Sequence, residues 1–299
     1  MKSSNRIFLA ACLILLLIGG GFLFFKGQSQ PSPAGFNGER AYTDVSAQVN
    51  LGPRIPGTPA HQAAIDYFVE ELTQADWVVE LQEVEFDGHL IKNVIAKRGS
   101  GKGGWLIFGA HYDSRMAADQ DSDPANHSTP VAGANDGASG AAVLLELARS
   151  LPKTLDREIW LAFFDAEDQG NLPGWDWILG SSALAASLSD TNLPEGVIIV
   201  DMIGDADLNL YMERNSDGEI TREIWETAAE LGYAQSFIPE LKFSMIDDHT
   251  PFLRRGIPAA DLIDFDYPYW HTTQDTVDKV SAASLDIVGD TLYQWVTTR

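Results

Sequence analysis

Apolar and polar positions change their period along the chain in a way that predicts alternating strands and helices. Short runs that are apolar throughout, or that alternate, are typical of strands. Longer segments with an apolar residue every three or four positions are typical of a helix face. The first pattern predicts strands at residues 77–86, 90–96, 105–110, 158–164, 197–200, 208–212 and 259–263. The second predicts helices at residues 60–74, 138–151, 221–231 and 282–296.

The order of these elements predicts the fold class. Strands that alternate with helices imply an α/β protein whose sheet is largely parallel and covered by helices. We therefore expect a three-layer α/β/α fold with a mixed, mostly parallel central sheet, formed by residues 41–299. A chain of 299 residues with 45% hydrophobic residues is sufficient for one such core.

The N-terminal segment has a different character. Lys2 and Arg6 precede a continuous apolar stretch at residues 7–25, which Lys26 closes. As a helix this stretch is ~28 Å long, close to the ~30 Å hydrocarbon core of a bilayer. The sequence therefore predicts a signal anchor at residues 1–26, a transmembrane helix that holds the following domain outside the cytoplasm at the cell membrane.

Two other fates of this segment stay open, namely a cleaved signal peptide and lipidation at Cys12. No convincing cleavage site of small residues follows the apolar run, and most of that run lies after Cys12. We therefore favour the retained anchor. Residues 27–40, rich in Gln, Ser, Pro and Gly, are expected to form a flexible linker.

Net charge and cysteine content restrict the partners and the covalent structure. The formal charge of −23 argues against nucleic-acid binding, which requires a basic surface. An acidic surface suits a cationic ligand such as the free N-terminus of a peptide, although solubility explains the charge equally well. Because Cys12 is the only cysteine, the folded domain has no disulfide of its own.

Acidic and histidine residues follow the apolar runs or lie in loops between them. The carboxyl ends of parallel strands are the usual active site of such a sheet, and zinc takes about four N, O or S ligands. Each residue alone has an ordinary explanation, such as a structural histidine, a helix N-cap at Asp136 or a solvated turn. Their recurrence at strand ends predicts a zinc enzyme. The residues are His111, Asp113, Asp136, Glu167, Asp168, Asp201 and His271.

Two pairs among these residues carry specific expectations. Asp113 follows His111 by two positions, where a carboxylate can fix the tautomer of a metal-bound imidazole. Glu167 and Asp168 are adjacent carboxylates after a buried strand, which is unfavourable unless a cation or a proton offsets their charge.

The same positions resemble a known family. The similarity is to glutaminyl-peptide cyclotransferases, which share their fold with zinc peptidases of the bacterial leucyl-aminopeptidase type. It covers residues 41–299, nearly all of the chain after the apolar segment. The matching positions are residues 77–86, 111–114, Asp136, Glu167, Asp168, Asp201, residues 247–256 and residues 270–272.

The resemblance implies two metal arrangements. In the cyclases, one zinc is held by the residues that match Asp136, Asp168 and His271. In the aminopeptidases, a second metal is held by the residues that match His111, Asp136 and Asp201. This chain keeps all of these residues, so the resemblance implies one zinc ion or two.

The resemblance also implies roles in catalysis and substrate binding. Glu167 matches the glutamate that shuttles protons. Asp201 and Asp247 match carboxylates that surround the substrate amine. Trp270 and Trp175 match aromatic residues of the pocket wall.

Three functions follow from these features, and we favour the first. A cyclase would convert the N-terminal Gln of a peptide to pyroglutamate, and residues 247–255 with Trp270 favour it. An aminopeptidase would hydrolyse the first peptide bond, and residues 133–140 favour it. A ligand-binding ectodomain without activity is the remote alternative, against which the retention of Glu167 and His271 argues.

Two features depart from simple expectations. Both families usually carry Glu-Glu where this chain has Glu167 and Asp168, so the shorter Asp168 requires the backbone to approach the metal more closely. The loop at residues 116–129 contains three aspartates but lacks the Gly and the terminal Glu of an EF-hand loop. We therefore expect a solvated acidic loop there.

Overall fold

A computed structural model describes residues 35–298 of the chain. Its strands are β1 (Val78–Phe86), β2 (His89–Arg98), β3 (Trp105–His111), β4 (Glu158–Phe164), β5 (Gly196–Asp201), β6 (Leu210–Met212), β7 (Phe237–Leu241) and β8 (Ala259–Ile263). Its α-helices are α1 (Gly38–Asn50), α2 (Pro59–Gln74), α3 (Ala138–Ser150), α4 (Leu179–Ser187), α5 (Gly218–Glu230), α6 (Thr250–Arg254) and α7 (Ala282–Thr298).

The central sheet has the strand order β1-β2-β4-β3-β5-β8. Strands β4, β3, β5 and β8 pair in parallel, whereas β2 is antiparallel to both of its neighbours. Within the described sheet, therefore, only β2 runs in the opposite direction. The mixed, mostly parallel sheet expected from the sequence is confirmed, and β1 and β2 form an antiparallel hairpin. Strands β6 and β7 form a separate parallel pair.

Helices cover both faces of this sheet, and strand β3 shows how. Leu106 and Phe108 point into the larger core, to which α1, α2, α3, α5 and α7 contribute. Trp105 and Ile107 point into a second core on the opposite face, to which α4 and α6 contribute. Because successive side chains of a strand point to opposite faces, a continuous apolar run is required here.

Each helix and strand predicted from the sequence has a counterpart whose ends differ by a few residues at most. Helices α1, α4 and α6 and strand β7 are additional. Helix α1 begins at Gly38, inside the segment assigned to the linker, and the side chain of Asn37 caps it by accepting a hydrogen bond from the backbone of Arg40.

The predicted transmembrane helix at residues 1–26, and Cys12 with it, lies outside the described residues. Among the residues that are described, 35–298, no helix has both the length and the apolar character needed to cross a bilayer.

Candidate metal centre and active site

The carboxyl ends of three adjacent strands bring distant residues together. His111 ends β3, Asp201 ends β5, and Asp168 follows β4 after a short turn. Asp136 and His271 reach the same place from loops. All five side chains are buried, with at most 7% of any residue exposed.

Asp136 lies between two histidines and offers one oxygen to each. Its Oδ1 is 3.1 Å from Nε2 of His111, and its Oδ2 is 3.7 Å from Nε2 of His271. On the first side, Oδ1 of Asp201 is also 3.1 Å from Nε2 of His111. On the second side, Oδ1 of Asp168 is 2.7 Å from Nε2 of His271. His111, Asp136 and Asp201 thus form a first ligand group, and Asp136, Asp168 and His271 form a second. In each group the three ligand atoms lie within 4.8 Å of one another, so both expected ligand sets share the Asp136 carboxylate.

The atoms of the second group fit a divalent metal ion. Oδ2 of Asp136 and Oδ2 of Asp168 are buried and have no hydrogen-bond partner among the described residues. Burying an unpaired carboxylate oxygen is unfavourable unless a cation lies beside it. Imidazole nitrogens and carboxylate oxygens are both zinc ligands, and three protein ligands leave one position for substrate.

Asp168 reaches the site despite its short side chain because the backbone turns sharply after β4. Ala166 has a φ of 51°, a left-handed conformation that is unusual for a residue other than glycine. The Asp113 carboxylate accepts hydrogen bonds from the backbone N–H groups of Glu167 and Asp168, at 3.0 and 3.2 Å. It also accepts one from the Gln169 side chain at 2.9 Å. This turn brings the shorter side chain of Asp168 within reach of His271.

Asp113 also faces the ring of His111, with Oδ1 3.5 Å from Nδ1. Burial alone raises the pKa of Asp113, but the hydrogen bond and the charge of His111 outweigh burial and lower this pKa below its usual value. An ionised carboxylate at Nδ1 leaves Nε2 directed toward Asp136, as the sequence spacing predicts for a metal ligand.

Sequence reasoning missed Asp275, which holds the Asp136 loop. Its carboxylate accepts hydrogen bonds from the backbone N–H groups of Asn135 and Asp136, at 2.9 and 3.2 Å. The hydroxyl of Tyr267 donates a third at 2.7 Å. Burial and the nearby charge of Asp136 raise the pKa of Asp275 to about 7.

Asp136 is not the N-cap of α3. The residue before the helix is Gly137, with a φ of 96°. The loop is instead held from the other side by the buried guanidinium of Arg54, which donates to the carbonyl oxygens of Ala132 and Gly133 at 2.8 and 2.6 Å. The carboxylate of Asp136 therefore remains free to face the two histidines.

The expectation of a solvated acidic loop at residues 116–129 is wrong for part of this loop. Asp121 is buried, and its Oδ2 accepts hydrogen bonds from the backbone and hydroxyl of Thr273, at 2.9 and 2.5 Å. Asp119 faces the ring of His271, while Asp123 is exposed. The loop therefore packs against the turn that carries a metal ligand.

A cavity of about 180 Å³ opens onto the second ligand group. The three expected catalytic carboxylates, Glu167, Asp201 and Asp247, all line it. Burial, together with the charges of Asp247, Asp248 and Asp168, raises the pKa of Glu167 well above its usual value, although the charge of His111 opposes this. Burial and the charge of Asp201 raise the pKa of Asp247 to about 7.

Aromatic rings form one wall of this cavity. The ring of Trp270 stacks on His271 with 3.7 Å between centroids, as a pocket-wall residue should. Trp177, which sequence reasoning missed, also lines the cavity, and its ring is nearly parallel to that of His271 with 5.9 Å between centroids. Trp175 lies elsewhere, because its ring stacks on His89 at 3.7 Å. The second aromatic residue of the wall is therefore Trp177 rather than the expected Trp175.

Another buried group of potential ligands, Asp247, His249 and Asp261, lies next to this cavity. The ring nitrogens of His249 lie 3.5 Å from Glu213 and 3.7 Å from Asp261. Burial and the charge of Asp247 raise the pKa of Asp261 well above its usual value, so a proton on Asp261 reduces the negative charge of the group.

Comparisons with known proteins show which family and which solved structures this chain resembles. Residues 93–296 match the model of peptidase family M28. The crystal structure of Porphyromonas gingivalis glutaminyl cyclase is similar, with a TM-score of 0.83 and 35% identity over 89% of this chain and 99% of that one. A Zn-dependent exopeptidase from Parabacteroides distasonis has a TM-score of 0.81 and 32% identity over 88% and 99% of the two chains. Glutaminyl-peptide cyclotransferase of Bos taurus is 28% identical over 81% of this chain and 77% of its own.

Proposed function

Since the chain belongs to peptidase family M28, we propose that it is a zinc-dependent glutaminyl-peptide cyclotransferase. It would convert the N-terminal Gln of a peptide to pyroglutamate and release ammonia. The observation that carries the proposal is that Glu167, Asp201 and Asp247 line one cavity together with the metal ligands Asp136 and Asp168. A solved glutaminyl cyclase that is similar over 89% of this chain and 99% of its own supports the same activity.

The residues of this chain fit the metal that the reaction needs. Asp136, Asp168 and His271 would hold the zinc. When bound, zinc supplies a Lewis acid that polarises the γ-amide carbonyl of the substrate Gln. All other roles fall to side chains of the cavity.

Glu167 is the residue that moves the proton. Its carboxylate takes a proton from the substrate α-amine while the amine nitrogen forms a bond to the δ-carbon of the Gln side chain. The resulting carboxylic acid gives the proton to the amide nitrogen, the bond between this nitrogen and the δ-carbon breaks, and ammonia leaves. Burial and the charges of Asp247, Asp248 and Asp168 raise the pKa of Glu167, which favours the carboxylic acid that returns the proton to the leaving nitrogen.

Asp201 and Asp247 bind and orient the amine. Both carboxylates face the cavity, where they can accept hydrogen bonds from the substrate N–H groups. Fixing the amine beside the γ-amide makes ring closure an intramolecular reaction of well-placed groups.

The size of the cavity suits a single terminal residue. The cavity volume of about 180 Å³ is below the ~300–1,000 Å³ of pockets that take drug-sized ligands. This is enough for one side chain but not for a folded segment of peptide. The rings of Trp177 and Trp270 line it and reduce the room for water, which would otherwise compete with the amine as nucleophile.

An aminopeptidase is the second candidate. His111, Asp136 and Asp201 form a complete further ligand group, which a cyclase with one zinc does not need. In a peptidase, Glu167 would instead take a proton from the water that attacks the first peptide bond. The similarity to a Zn-dependent exopeptidase supports this alternative.

The experiment compares two fluorogenic amides with the zinc-loaded protein, one starting with Gln and the other with Leu. Formation of a pyroglutamyl product with ammonia, and without free Gln, is the expected result. Release of free Leu would replace the cyclase with the aminopeptidase. No turnover of either substrate, with no zinc retained, would favour the ligand-binding ectodomain.

We also propose that residues 1–26 anchor the catalytic domain on the outer side of the cell membrane. The proposal rests on Lys2 and Arg6 before the apolar residues 7–25. The full chain should sediment with membranes after an alkaline wash, and protease added to intact spheroplasts should remove its catalytic domain. Recovery of the full chain in the soluble fraction would overturn the proposal.

A further inference from the structure

The imidazole of His271 has a carboxylate on its far side. Oδ1 of Asp119 is 3.4 Å from Nδ1 of His271, whereas Nε2 of the same ring faces Asp168 at 2.7 Å. The ring therefore lies between a carboxylate of the metal group and a carboxylate outside it. The arrangement matches that of Asp113 and His111 on the other side of the site.

Asp119 is itself held in place by a charged partner. Arg115 donates from Nε to Oδ1 and from Nη2 to Oδ2 of Asp119, both at 2.7 Å. A bidentate pair of this kind fixes the plane of the carboxylate as well as its position. The side chain of Arg115 is buried, whereas that of Asp119 is 32% exposed.

The guanidinium of Arg115 also contacts the segment that carries the ligand Asp168. Nη1 of Arg115 donates to the backbone carbonyl of Asp168 at 3.0 Å, and Nη2 donates to that of Gly170 at 3.1 Å. Its face also lies 4.9 Å from the ring centroid of Trp177 in the cavity wall. Arg115 thus joins Asp119 to the segment that carries Asp168.

The backbone of His271 is held by the same loop. His271 has a φ of 55°, a left-handed conformation that is unfavourable for a residue other than glycine. The N–H of Gln120 donates to the carbonyl of His271 at 3.2 Å, and Asp121 accepts two hydrogen bonds from Thr273. Residues 119–121 therefore contact both the ring and the main chain of this turn.

We propose that Asp119 is a positioning residue that accepts a hydrogen bond from Nδ1–H of His271 and so presents Nε2 to the metal. A carboxylate behind a metal-bound histidine fixes its tautomer, restrains its ring and strengthens it as a ligand. The proposal rests on the zinc site of the proposed function. It does not depend on whether that site cyclises or hydrolyses its substrate.

The test measures zinc affinity without substrate, so its outcome is separate from that of the turnover assay. Metal-free wild type, Asp119→Asn and Asp123→Asn are titrated with zinc in competition with a chromophoric chelator. Asp119→Asn should bind zinc about 10–100-fold more weakly. Asp123→Asn removes the same charge from an exposed position of the same loop and should stay within about twofold. Equal affinities for wild type and Asp119→Asn would overturn the proposal.

A second measurement needs no variant at position 119 and so does not depend on its folding. In the zinc-loaded wild type labelled with 15N-histidine, the Nδ1–H signal of His271 is assigned by its loss in His271→Gln. A hydrogen bond to a carboxylate should shift this proton downfield and slow its exchange with water. A proton that exchanges as fast as that of an exposed histidine would contradict the proposal.

Discussion

The Asp275 carboxylate holds the backbone of Asp136, whose N–H donates to Oδ2 of Asp275 at 3.2 Å. Asp136 is the carboxylate that both ligand groups share, so the position of its main chain affects both. Asparagine at position 275 retains only one acceptor oxygen and turns an N–H group toward a backbone donor. We expect Asp275→Asn to weaken zinc binding about tenfold and to lower the free energy of unfolding by about 1–3 kcal/mol.

Chelator competition and urea unfolding measure these two effects. Asp278→Asn is the control, because it makes the same change at an exposed carboxylate nearby. Wild-type zinc affinity in Asp275→Asn would show that the Asp136 loop keeps its position without this hydrogen bond.

Glu167→Gln should reduce turnover by at least about 10²-fold while the zinc content stays at the wild-type level. Glutamine has nearly the same shape but cannot accept and return a proton. Steady-state kinetics and metal analysis of the same preparation test both halves of this prediction. Glu85→Gln in β1 serves as the control, and activity retained by Glu167→Gln would mean that another group moves the proton.

Replacement of the two histidines separates one-metal from two-metal chemistry. His271→Gln should abolish zinc binding and turnover, because it removes a ligand of the group that opens onto the cavity. In a cyclase with one zinc, His111→Gln should leave the zinc content unchanged. Metal analysis of wild type and both variants measures this, and loss of one of two zinc ions in His111→Gln would support the aminopeptidase.

The two tryptophans before α4 provide a matched pair. Trp177→Ala should raise KM about tenfold, since the loss of one aromatic contact costs about 1–1.5 kcal/mol. Trp175→Ala removes the same type of ring outside the cavity and should leave KM unchanged. The KM of both variants is measured with the same Gln-initiated substrate. A change of KM in Trp175→Ala alone would mean that the substrate contacts Trp175 and not Trp177.

Glu213 should make the stability depend on pH in the acid range. Burial alone raises the pKa of Glu213, but hydrogen bonds from His249, from backbone N–H groups and from Ser216 outweigh burial and lower this pKa to about 2. Because the folded protein prefers the ionised form, the stabilisation is complete above the unfolded pKa of about 4.3 and is lost as pH falls toward 2.

The measurement is urea unfolding of wild type and Glu213→Gln between pH 7 and pH 3. At pH 7 the variant should be less stable by about 1–3 kcal/mol, and the difference should shrink below about pH 4.5. Glu240→Gln, at an exposed position of β7, should show no such dependence. A difference that stays constant over this range would refute the assignment to Glu213.

The central strands and the metal ligands could be predicted because both leave a local pattern in the sequence. A strand buried on both faces must be apolar throughout, and residues such as His111 and Asp201 then stand at its end. Elements without such a pattern were missed. Helix α4 consists largely of Gly, Ser and Ala, and the buried apolar side chains of α1 are only Ala41 and Val45, so neither helix has a run of large apolar residues.

Of the residues that hold the ligands, Asp113 could be predicted from the sequence because it lies two positions after His111, whereas Asp119 and Asp275 could not. Asp119 and Asp275 act on the His271 ring and on the Asp136 backbone, across loops without regular periodicity. Trp177 and Trp175 are two positions apart in one irregular segment, and only the path of the backbone decides which ring faces the cavity. The sequence and the resemblance identified the ligands and Asp113, and tertiary structure was needed to identify Asp119, Asp275 and Trp177.

Each oxygen of the Asp136 carboxylate faces a different imidazole, and this affects how such enzymes can diversify. The two ligand groups share only Asp136, and their other members come from separate segments of the chain. Substitutions near His111 alter one half of the centre and leave the other half intact. New chemistry can therefore arise by stepwise exchange of a few side chains on an unchanged scaffold.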